Sequence, residues 1–451
     1  MGITLLQFVA LFVTVIFLAY VAMIVLPFLR RPRTEPGDAE DFDWHFLVPA
    51  RDEAEVIIAT LDACERDFPD AQVWVIDDAS EDDTAALVFG VTRRNPRVHL
   101  VRRFLPEART GKGDALNAGY FALDAWLPYS ADRTRTIVAV LDADGRLAPD
   151  ALTYVSSGSV FGDASVGAAQ IAVRMENRDD LGLFAQPSRL GLRFSAFLVR
   201  MQDFEFMTTM SAMQMLRERT GSVGMGGNGQ FSRLSALDEI ARRYKEPWHS
   251  ALLEDYELGL HILLVGYKNR FVYDTYVEQE GLLSLRRLVA QRARWAQGTM
   301  QCSRYLTDIV RSPNFSTAGL VESCYFLITP WMQVAGLASW PLLIVLTVFA
   351  AFRYPAGPAE FLNQFWPLAL ITLIFGALPF IMWGPMYRRV VEPQASRWRG
   401  WLLGIGFAVY LYYTYLTTPR AFARILLRRS GWVKTRRNAE TIGPGRVASD
   451  I

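Results

Sequence analysis

Cysteine is scarce: Cys64, Cys302 and Cys324 are too few and too scattered for a disulfide framework or a cysteine zinc site. A reducing compartment for the middle of the chain fits that usage. Histidine is nearly as scarce, and His45, His99, His249 and His261 form neither HExxH nor a paired spacing, so no histidine metal motif exists. No GxGxxG follows the first strand-like run, and no Walker lysine motif occurs, which argues against a dinucleotide oxidoreductase and a P-loop nucleotidase. An excess of either charge is missing too. Lys plus Arg (47) against Asp plus Glu (46) leaves +1, so no global field draws nucleic acid, and any binding charge is local. Half the chain (51%) is hydrophobic, which excludes disorder.

That apolar content concentrates at the two ends. Ile3 to Leu29 carries no charged side chain. As a helix it would extend roughly 40 Å, longer than the roughly 30 Å hydrocarbon core of a bilayer. Arg30, Arg31 and Arg33 follow the run rather than precede it, which suits an uncleaved anchor (residues 1–30) with its C-terminal end cytoplasmic. Further apolar runs cover about Leu320–Ala351, Phe361–Trp383 and Gly400–Thr418, giving about three C-terminal spans within 320–418 after an interfacial segment at 301–319. Glu322, Pro330 and Pro341 suit an interfacial start to the first of these. Three crossings would leave the C-terminus outside, yet the basic tail at 419–451, with Arg420, Arg424, Arg428 and Arg429, marks the inside. One segment is therefore expected not to span, or the tail is an exception. Arg420–Leu427 alternates basic and apolar faces, as a surface helix or a solvated tail would.

Between about Asp43 and Met300 the pattern changes to short apolar runs ending in acids, separated by helical periodicity. Phe46–Val48, Val73–Ile76 and Ile137–Leu141 read as buried parallel strands of an α/β domain. Each is followed by a polar group: Pro49-Ala-Arg51-Asp52-Glu53, Asp77-Asp78-Ala-Ser80 and Asp142-Ala-Asp144-Gly145. In open α/β sheets ligands lie beyond the carboxyl ends of the strands, so one edge collects these acids.

The acids differ in what they can do. Ser80 can cap a helix whose first turn takes Glu81, Asp82 and Asp83. Asp78 suits either a turn or a ligand contact. Asp142 and Asp144, alternate residues past a strand end, would repel one another without a cation, and Mg2+ or Mn2+ takes one or two carboxylates plus substrate phosphate. Alone, such a DxD also makes an ordinary turn. Arg109-Thr-Gly-Lys112-Gly-Asp-Ala-Leu-Asn117 leads a glycine-punctuated basic stretch into a helix, either a phosphate site or a solvated loop. At the start of the apolar helical pattern Tyr256–Val265, Glu254 and Asp255 offer a cap or a general base. Gln291, Arg294 and Trp295 share one helical face with Arg292 beside them: arginines for a diphosphate and an indole for a sugar ring, or an interfacial helix. The Met- and Phe-rich stretch Phe194–Met215 reads as core or as an interfacial platform.

Taken in order, Val48–Glu53, Asp77–Ser80, Gly111–Asn117, Asp142–Gly145, Glu254-Asp255 and Gln291–Trp295 resemble the processive, membrane-embedded family 2 glycosyltransferases, which include cellulose, chitin, hyaluronan and poly-N-acetylglucosamine synthases. The likeness covers about residues 43–300. It implies a GT-A nucleotide-sugar fold of mostly parallel sheet inserted between transmembrane helices, a UDP-sugar donor, a divalent metal (Mg2+ or Mn2+) and inversion at the anomeric carbon.

Carried over position by position, Arg51, Asp52, Glu53 and Asp78 would border the uridine, and Lys112 would approach the nucleotide. Asp144 would hold the metal, with Asp142 on the nucleotide or supporting the metal. Asp255 would be the catalytic base with Glu254 beside it. Arg292 and Arg294 would meet the donor diphosphate, and Gln291 and Trp295 the acceptor. Leu253 stands where members often have Thr. Gly226-Gly-Asn-Gly-Gln with Phe231–Leu237 resembles the acceptor-side stretch, and Trp432-Val-Lys-Thr435 resembles some synthase tails; neither brings a role.

The resemblance implies a growing β-linked polysaccharide exported through membrane helices of the inner or plasma membrane, and leaves sugar, linkage and accessory export subunits open. Addition of one sugar to a lipid acceptor, or an inactive membrane scaffold, are the competing readings.

Overall fold

The computed structural model describes residues 2–181 and 188–429, so the tail motif Trp432–Thr435 lies outside the described residues. One eight-stranded sheet forms the centre, in the order β3-β2-β1-β4-β7-β6-β8-β5. The strands are β1 (Asp43–Ala50), β2 (Gln72–Asp78), β3 (Val98–Arg103), β4 (Thr136–Val140), β5 (Arg146–Leu147), β6 (Val166–Met175), β7 (Gln230–Arg233) and β8 (Lys268–Gln279). All pairings are parallel except those of β7 with β4 and β6 and of β5 with β8, so six strands point one way. The three strands read from the sequence are β1, β2 and β4, adjacent and parallel, and their acid-bearing ends share one edge.

Their alternation fills two cores. Phe46, Val48, Val73, Val75, Ile137 and Ala139 face one side, against Ile57, Leu61, Val88 and Val91 of two helices. Leu47, Trp74, Ile76, Val138 and Val140 face the other, against Leu116, Leu123, Leu237, Leu258 and Ile262. A strand buried on both faces must be apolar throughout, which is why these runs show no polar alternation.

A third core joins the α/β domain to the apolar ends. The stretch Phe194–Met215 forms the helix Arg189–Glu205, a π-helical turn Phe206–Met210 and the start of Ser211–Thr220. Its Leu198, Met201, Phe204 and Met207 pack with Phe28 of the first helix and with Trp383, Tyr387, Phe407 and Tyr410. Core packing is thus one of its roles; lining the cavity described below is the other.

The apolar runs are helical: Gly2–Leu29, Thr317–Phe352, which continues through Pro330 and Pro341, and Pro358–Ile381. Among the described residues, however, no helix is long and apolar enough to cross a membrane. The last expected span is corrected most clearly. Gly400–Thr418 is divided between the helix Arg397–Tyr410, a 3-10 turn at Leu411–Tyr413 and the helix Thr414–Leu426. Fourteen helical residues reach about 21 Å, short of the hydrocarbon core. The basic stretch after Arg420 belongs to the last of these helices, where Arg424 Nε donates to Gln297 Oε1 at 2.6 Å.

Candidate active site

The loops after β1 and β2 are laced together by the residues that the sequence singles out. Asp52 takes a left-handed backbone (φ 54°). Its N–H donates to Ser80 Oγ at 3.0 Å, and its Oδ1 accepts the Glu81 N–H at 2.7 Å. Glu53 N–H donates to Thr84 Oγ1 at 2.8 Å. Ser80 therefore braces a loop and caps no helix. The helix begins later, at Thr84–Thr92, without an acid in its first turn, because Asp82 accepts the Thr84 N–H at 3.0 Å just before it. Asp78 accepts from the Arg103 guanidinium and, at 3.0 Å, from the Arg109 N–H, so it also anchors the loop that leads to Lys112.

Beyond β4, Asp142–Gly145 turns sharply, with Gly145 N–H on the Asp142 carbonyl at 2.7 Å. Lys112 is the first residue of the helix Lys112–Trp126, and its Nζ reaches Asp142 Oδ1 at 2.6 Å. Burial pulls its ammonium pKa down, but the carboxylates of Asp142, Glu254 and Asp255 outweigh this and hold it above the ordinary lysine value. The backbone of Asp142 donates to Asn228 Oδ1 at 3.1 Å. Gln170 supports that loop, donating to the Asn228 carbonyl at 3.0 Å and accepting the Gly226 N–H at 2.8 Å. The glycine stretch thus lies directly under the Asp142–Gly145 turn.

Glu254 and Asp255 open the helix Glu254–Leu264, which Leu253 precedes without a side-chain cap. Asp255 Oδ1 accepts the N–H of Tyr256 at 2.7 Å. Gly227 (φ 82°) runs so close that a side-chain carbon on it would stand 2.8 Å from Asp255 Oδ2 and 3.6 Å from Lys112 Nζ. Asp255, Lys112 and Asp142 therefore share one small volume. Burial, then the adjacent Glu254, push the Asp255 carboxyl up to about 7, against the opposing pull of Lys112, the Tyr256 amide and Arg294. The helix Leu285–Cys302 closes on this loop through Gly298, where a side chain would collide with Leu253, its Cβ 2.6 Å away. Leu252 N–H donates to Gln301 Oε1 at 2.8 Å and fixes the same approach.

One cavity of about 870 Å3 gathers these groups, within the usual size of ligand sites. Arg51, Glu53, Asp78, Lys112, Asp142, Asp144, Glu254, Asp255, Gln291, Arg292, Arg294 and Trp295 all line it. Asp52 does not, being committed to the loop brace. Arg292 lines it but is buried, and its Nη2 donates to Glu205 Oε2 at 2.7 Å while the guanidinium lies 4.3 Å from the Trp295 ring. Among the described residues no cluster of three or more metal-ligating side chains occurs. Asp142, whose Oδ1 takes Lys112, and Asp144, whose Oδ1 is buried, are two hard carboxylates on the cavity wall, of the kind that Mg2+ or Mn2+ accepts alongside phosphate and water.

Sequence reasoning missed Glu205, Gln170, Asn228 and Arg217. Glu205 is a buried carboxylate that also accepts from Tyr410 and Tyr413, at 3.0 and 2.9 Å, and lies just before the π-helical turn. Its signal in the sequence was the pair of acids Asp203 and Glu205 alternating with Phe204 and Phe206 in an otherwise apolar stretch.

The family model described as "Glycosyltransferase like family 2" matches residues 43–298, more than half of the chain. The chain belongs to this family. It is a family 2 glycosyltransferase, a hexosyltransferase by class, and the sheet is the α/β core of a GT-A-like fold. A mannosyltransferase of Pyrobaculum calidifontis, solved in complex with GDP-Man and Mn2+, shares that fold at a TM-score of 0.56 and 17% identity, covering 95% of this chain and 98% of its own. The beta-monoglucosyldiacylglycerol synthase of Synechocystis sp. is 29% identical over 413 residues, 88% of this glycosyltransferase and 75% of that protein. The protein of the same name in Trichormus variabilis is 29% identical over 310 residues, and the match spans 58% of its length.

Proposed function

We propose that this glycosyltransferase moves a single hexose, glucose, from a UDP-sugar to the free hydroxyl of a neutral lipid at a membrane, with inversion. The observation that carries the reading is the continuity of the cavity. It begins at the acids of the sheet edge and ends among Phe17 and Tyr20 of the first helix and Tyr325, Phe326, Met332 and Leu337 of the helix Thr317–Phe352. A charged donor and an apolar acceptor each find matching walls. The relatives named for glucosyl transfer to diacylglycerol favour one transfer to a lipid over polymer synthesis.

In this reading Asp255 takes the proton of the acceptor hydroxyl, whose oxygen attacks the anomeric carbon from the face opposite the diphosphate. The bond from that carbon to the diphosphate oxygen breaks, and its electron pair leaves with the nucleotide. Lys112 and Arg294 meet the charge that develops there. Asp144, with Asp142 beside it, would hold Mg2+ or Mn2+, which supplies further charge neutralisation when bound. Arg51, Glu53 and Asp78 border the nucleoside, and Trp295 gives its indole face to the transferred or accepting sugar. Arg292 acts through Glu205 and the position of Trp295.

The membrane setting draws on the uncharged run Ile3–Leu29 and on apolar side chains exposed to the outside, such as Phe12, Val15, Ile344, Val345, Phe349 and Leu362. The helices Gly2–Leu29, Thr317–Phe352 and Pro358–Ile381 carry these side chains and so present the face that meets the lipid surface.

The decisive experiment incubates the membrane-reconstituted protein with labelled UDP-glucose, a divalent metal and either diacylglycerol or an oligosaccharide. A lipid product carrying one sugar is expected. A ladder of glycan lengths with no labelled lipid overturns the reading.

A further inference from the structure

We propose that Arg217, with Tyr256, forms an acceptor subsite that binds an ester carbonyl of the glycerolipid while its free hydroxyl meets Asp255. The inference rests on the lipid reading above and adds to it the part of the lipid that is recognised.

Arg217 belongs to the helix Ser211–Thr220 and is 5% exposed, yet it borders the cavity. Its Nε donates to Glu322 Oε1 at 2.7 Å, and the other carboxylate oxygen accepts Ser222 Oγ at 2.9 Å. Its guanidinium lies 4.3 Å from the Phe326 ring. Its Nη2 is buried and makes no hydrogen bond. Leaving a buried donor unmade costs more than an ordinary hydrogen bond returns, so an acceptor oxygen delivered by a ligand gains there.

Charge narrows the ligand. Glu322 already neutralises the guanidinium, so the site offers a hydrogen-bond donor without a net positive charge. An anionic phosphate would approach Glu322 unfavourably, whereas a carbonyl oxygen, an acceptor with no charge, suits the remaining N–H.

Distance fits as well. A side-chain carbon on Gly224 would lie 2.9 Å from the Tyr256 ring and 3.5 Å from Arg217 Nη1, and one on Gly227 would lie 2.8 Å from Asp255 Oδ2. One short glycine-rich segment therefore carries the arginine at one end and the reacting carboxylate at the other. Three residues of chain span at most about 10 Å. The segment thus puts both groups along one stretch of the cavity wall, on the scale of a glycerolipid headgroup with a hydrogen bond at each end. The Phe326 and Tyr325 rings beyond it then meet the acyl chains.

The test compares 1,2-diacylglycerol with its dialkyl ether, which keeps the hydroxyl and chains but lacks both carbonyls. Mixed micelles present each lipid to the wild type and to Arg217→Lys, whose one ammonium nitrogen stays at Glu322 and does not extend to the place that Nη2 occupies. The wild type is expected to favour the diester about tenfold in kcat/KM, through KM, and Arg217→Lys to bring that ratio near one. Phosphatidylglycerol is expected to be a poorer acceptor than diacylglycerol for the wild type. UDP titration checks that the variant site is folded. Should Arg217→Lys lose UDP binding, Gly224→Ala, whose methyl meets the Tyr256 ring, must erase the preference instead. Equal use of diester and ether by the wild type, a ratio that survives both substitutions, or a preference for phosphatidylglycerol overturns the subsite and leaves lipid glycosylation standing. Turnover of no lipid at all overturns both.

Discussion

The two ends of the cavity are built by opposite means. At the sheet edge, chemistry is compressed into a few short polar segments: Lys112 on Asp142 at 2.6 Å, Gly227 against Asp255, and Asn228 under the Asp142 backbone. At the other end, helix faces such as those of Tyr20, Tyr325 and Phe326 make a broad aromatic wall with one buried ion pair, Arg217 with Glu322. Binding through a few charges in a confined space is steep in position and in pH, because each contact is electrostatic and directional. Binding through apolar area is shared among many contacts of small value. Substitutions at the first end should therefore abolish transfer, and those at the second should shift affinity.

The largest effect follows at Asp255. Asp255→Asn keeps the shape and the Tyr256 contact but cannot accept the acceptor's proton; glycosyl transfer is expected to fall by about 10²- to 10⁴-fold, with UDP affinity retained. Steady-state transfer of labelled sugar reads this, and an unchanged rate removes Asp255 from the base role. Next comes Asp144→Ala. On the proposed metal assignment, this substitution is expected to lower turnover about a hundredfold and to raise the Mg2+ or Mn2+ concentration needed for half-activation. A metal titration with the same midpoint as the wild type contradicts the assignment.

The pH dependence tests the same end more finely. With its carboxyl pushed up to about 7 in the free protein, Asp255 loses its basic form as pH falls, so kcat/KM is expected to drop about tenfold per unit below that value. Glu254→Gln removes a negative neighbour, lowers the Asp255 pKa and moves the limb to lower pH. Lys112→Met removes a positive one and moves it higher, by the sign of each charge. Limbs that coincide in all three proteins would place the titrating group elsewhere.

This division also explains what the sequence could show. Strands buried on both faces leave a local signature, and acids at their ends inherit a common edge from parallel pairing, so Asp78, Asp142 and Asp144 were readable as a set. Asp255 and Arg294, singled out only through the ordered family motifs, line the same cavity as those acids. Glu205 was not: its partners Arg292, Tyr410 and Tyr413 lie 87, 205 and 208 residues away, and only the packed third core makes a carboxylate tolerable there. Arg217 depends likewise on Glu322, 105 residues on, an acid that the sequence marks only as an interruption of an apolar run. Loop chemistry failed for a different reason. Ser80 has the composition of a cap, but the Asp52 N–H reaches it from the neighbouring strand's loop, a contact that no local pattern encodes. The short helix Arg397–Tyr410 shows the same limit, since apolar composition continues past Tyr410 while the helix does not.

The smallest effect is expected where the two ends join, at Tyr413→Phe. The Tyr413 hydroxyl donates to Glu205 Oε1 at 2.9 Å, while Tyr410 and Arg292 occupy Oε2 at 3.0 and 2.7 Å. Removing one phenol deletes a hydrogen bond to a charged group but leaves the ion pair and the aromatic ring in place, so the loss of stability is about 1.5–3 kcal/mol. The ring still flanks Arg292 at 5.9 Å, and the Arg292 contact with Trp295 is untouched. Transfer is therefore expected to stay within about threefold of the wild type while the denaturation midpoint falls, which a chemical unfolding curve and a lipid-glycosylation assay measure together. Glu205→Ala contrasts with it by leaving the Arg292 charge buried and unpaired, a change that costs about 3–5 kcal/mol. If Tyr413→Phe matched Glu205→Ala in lost turnover, the phenol itself would contact substrate, and the boundary between the polar and apolar ends would move to the C-terminal helices.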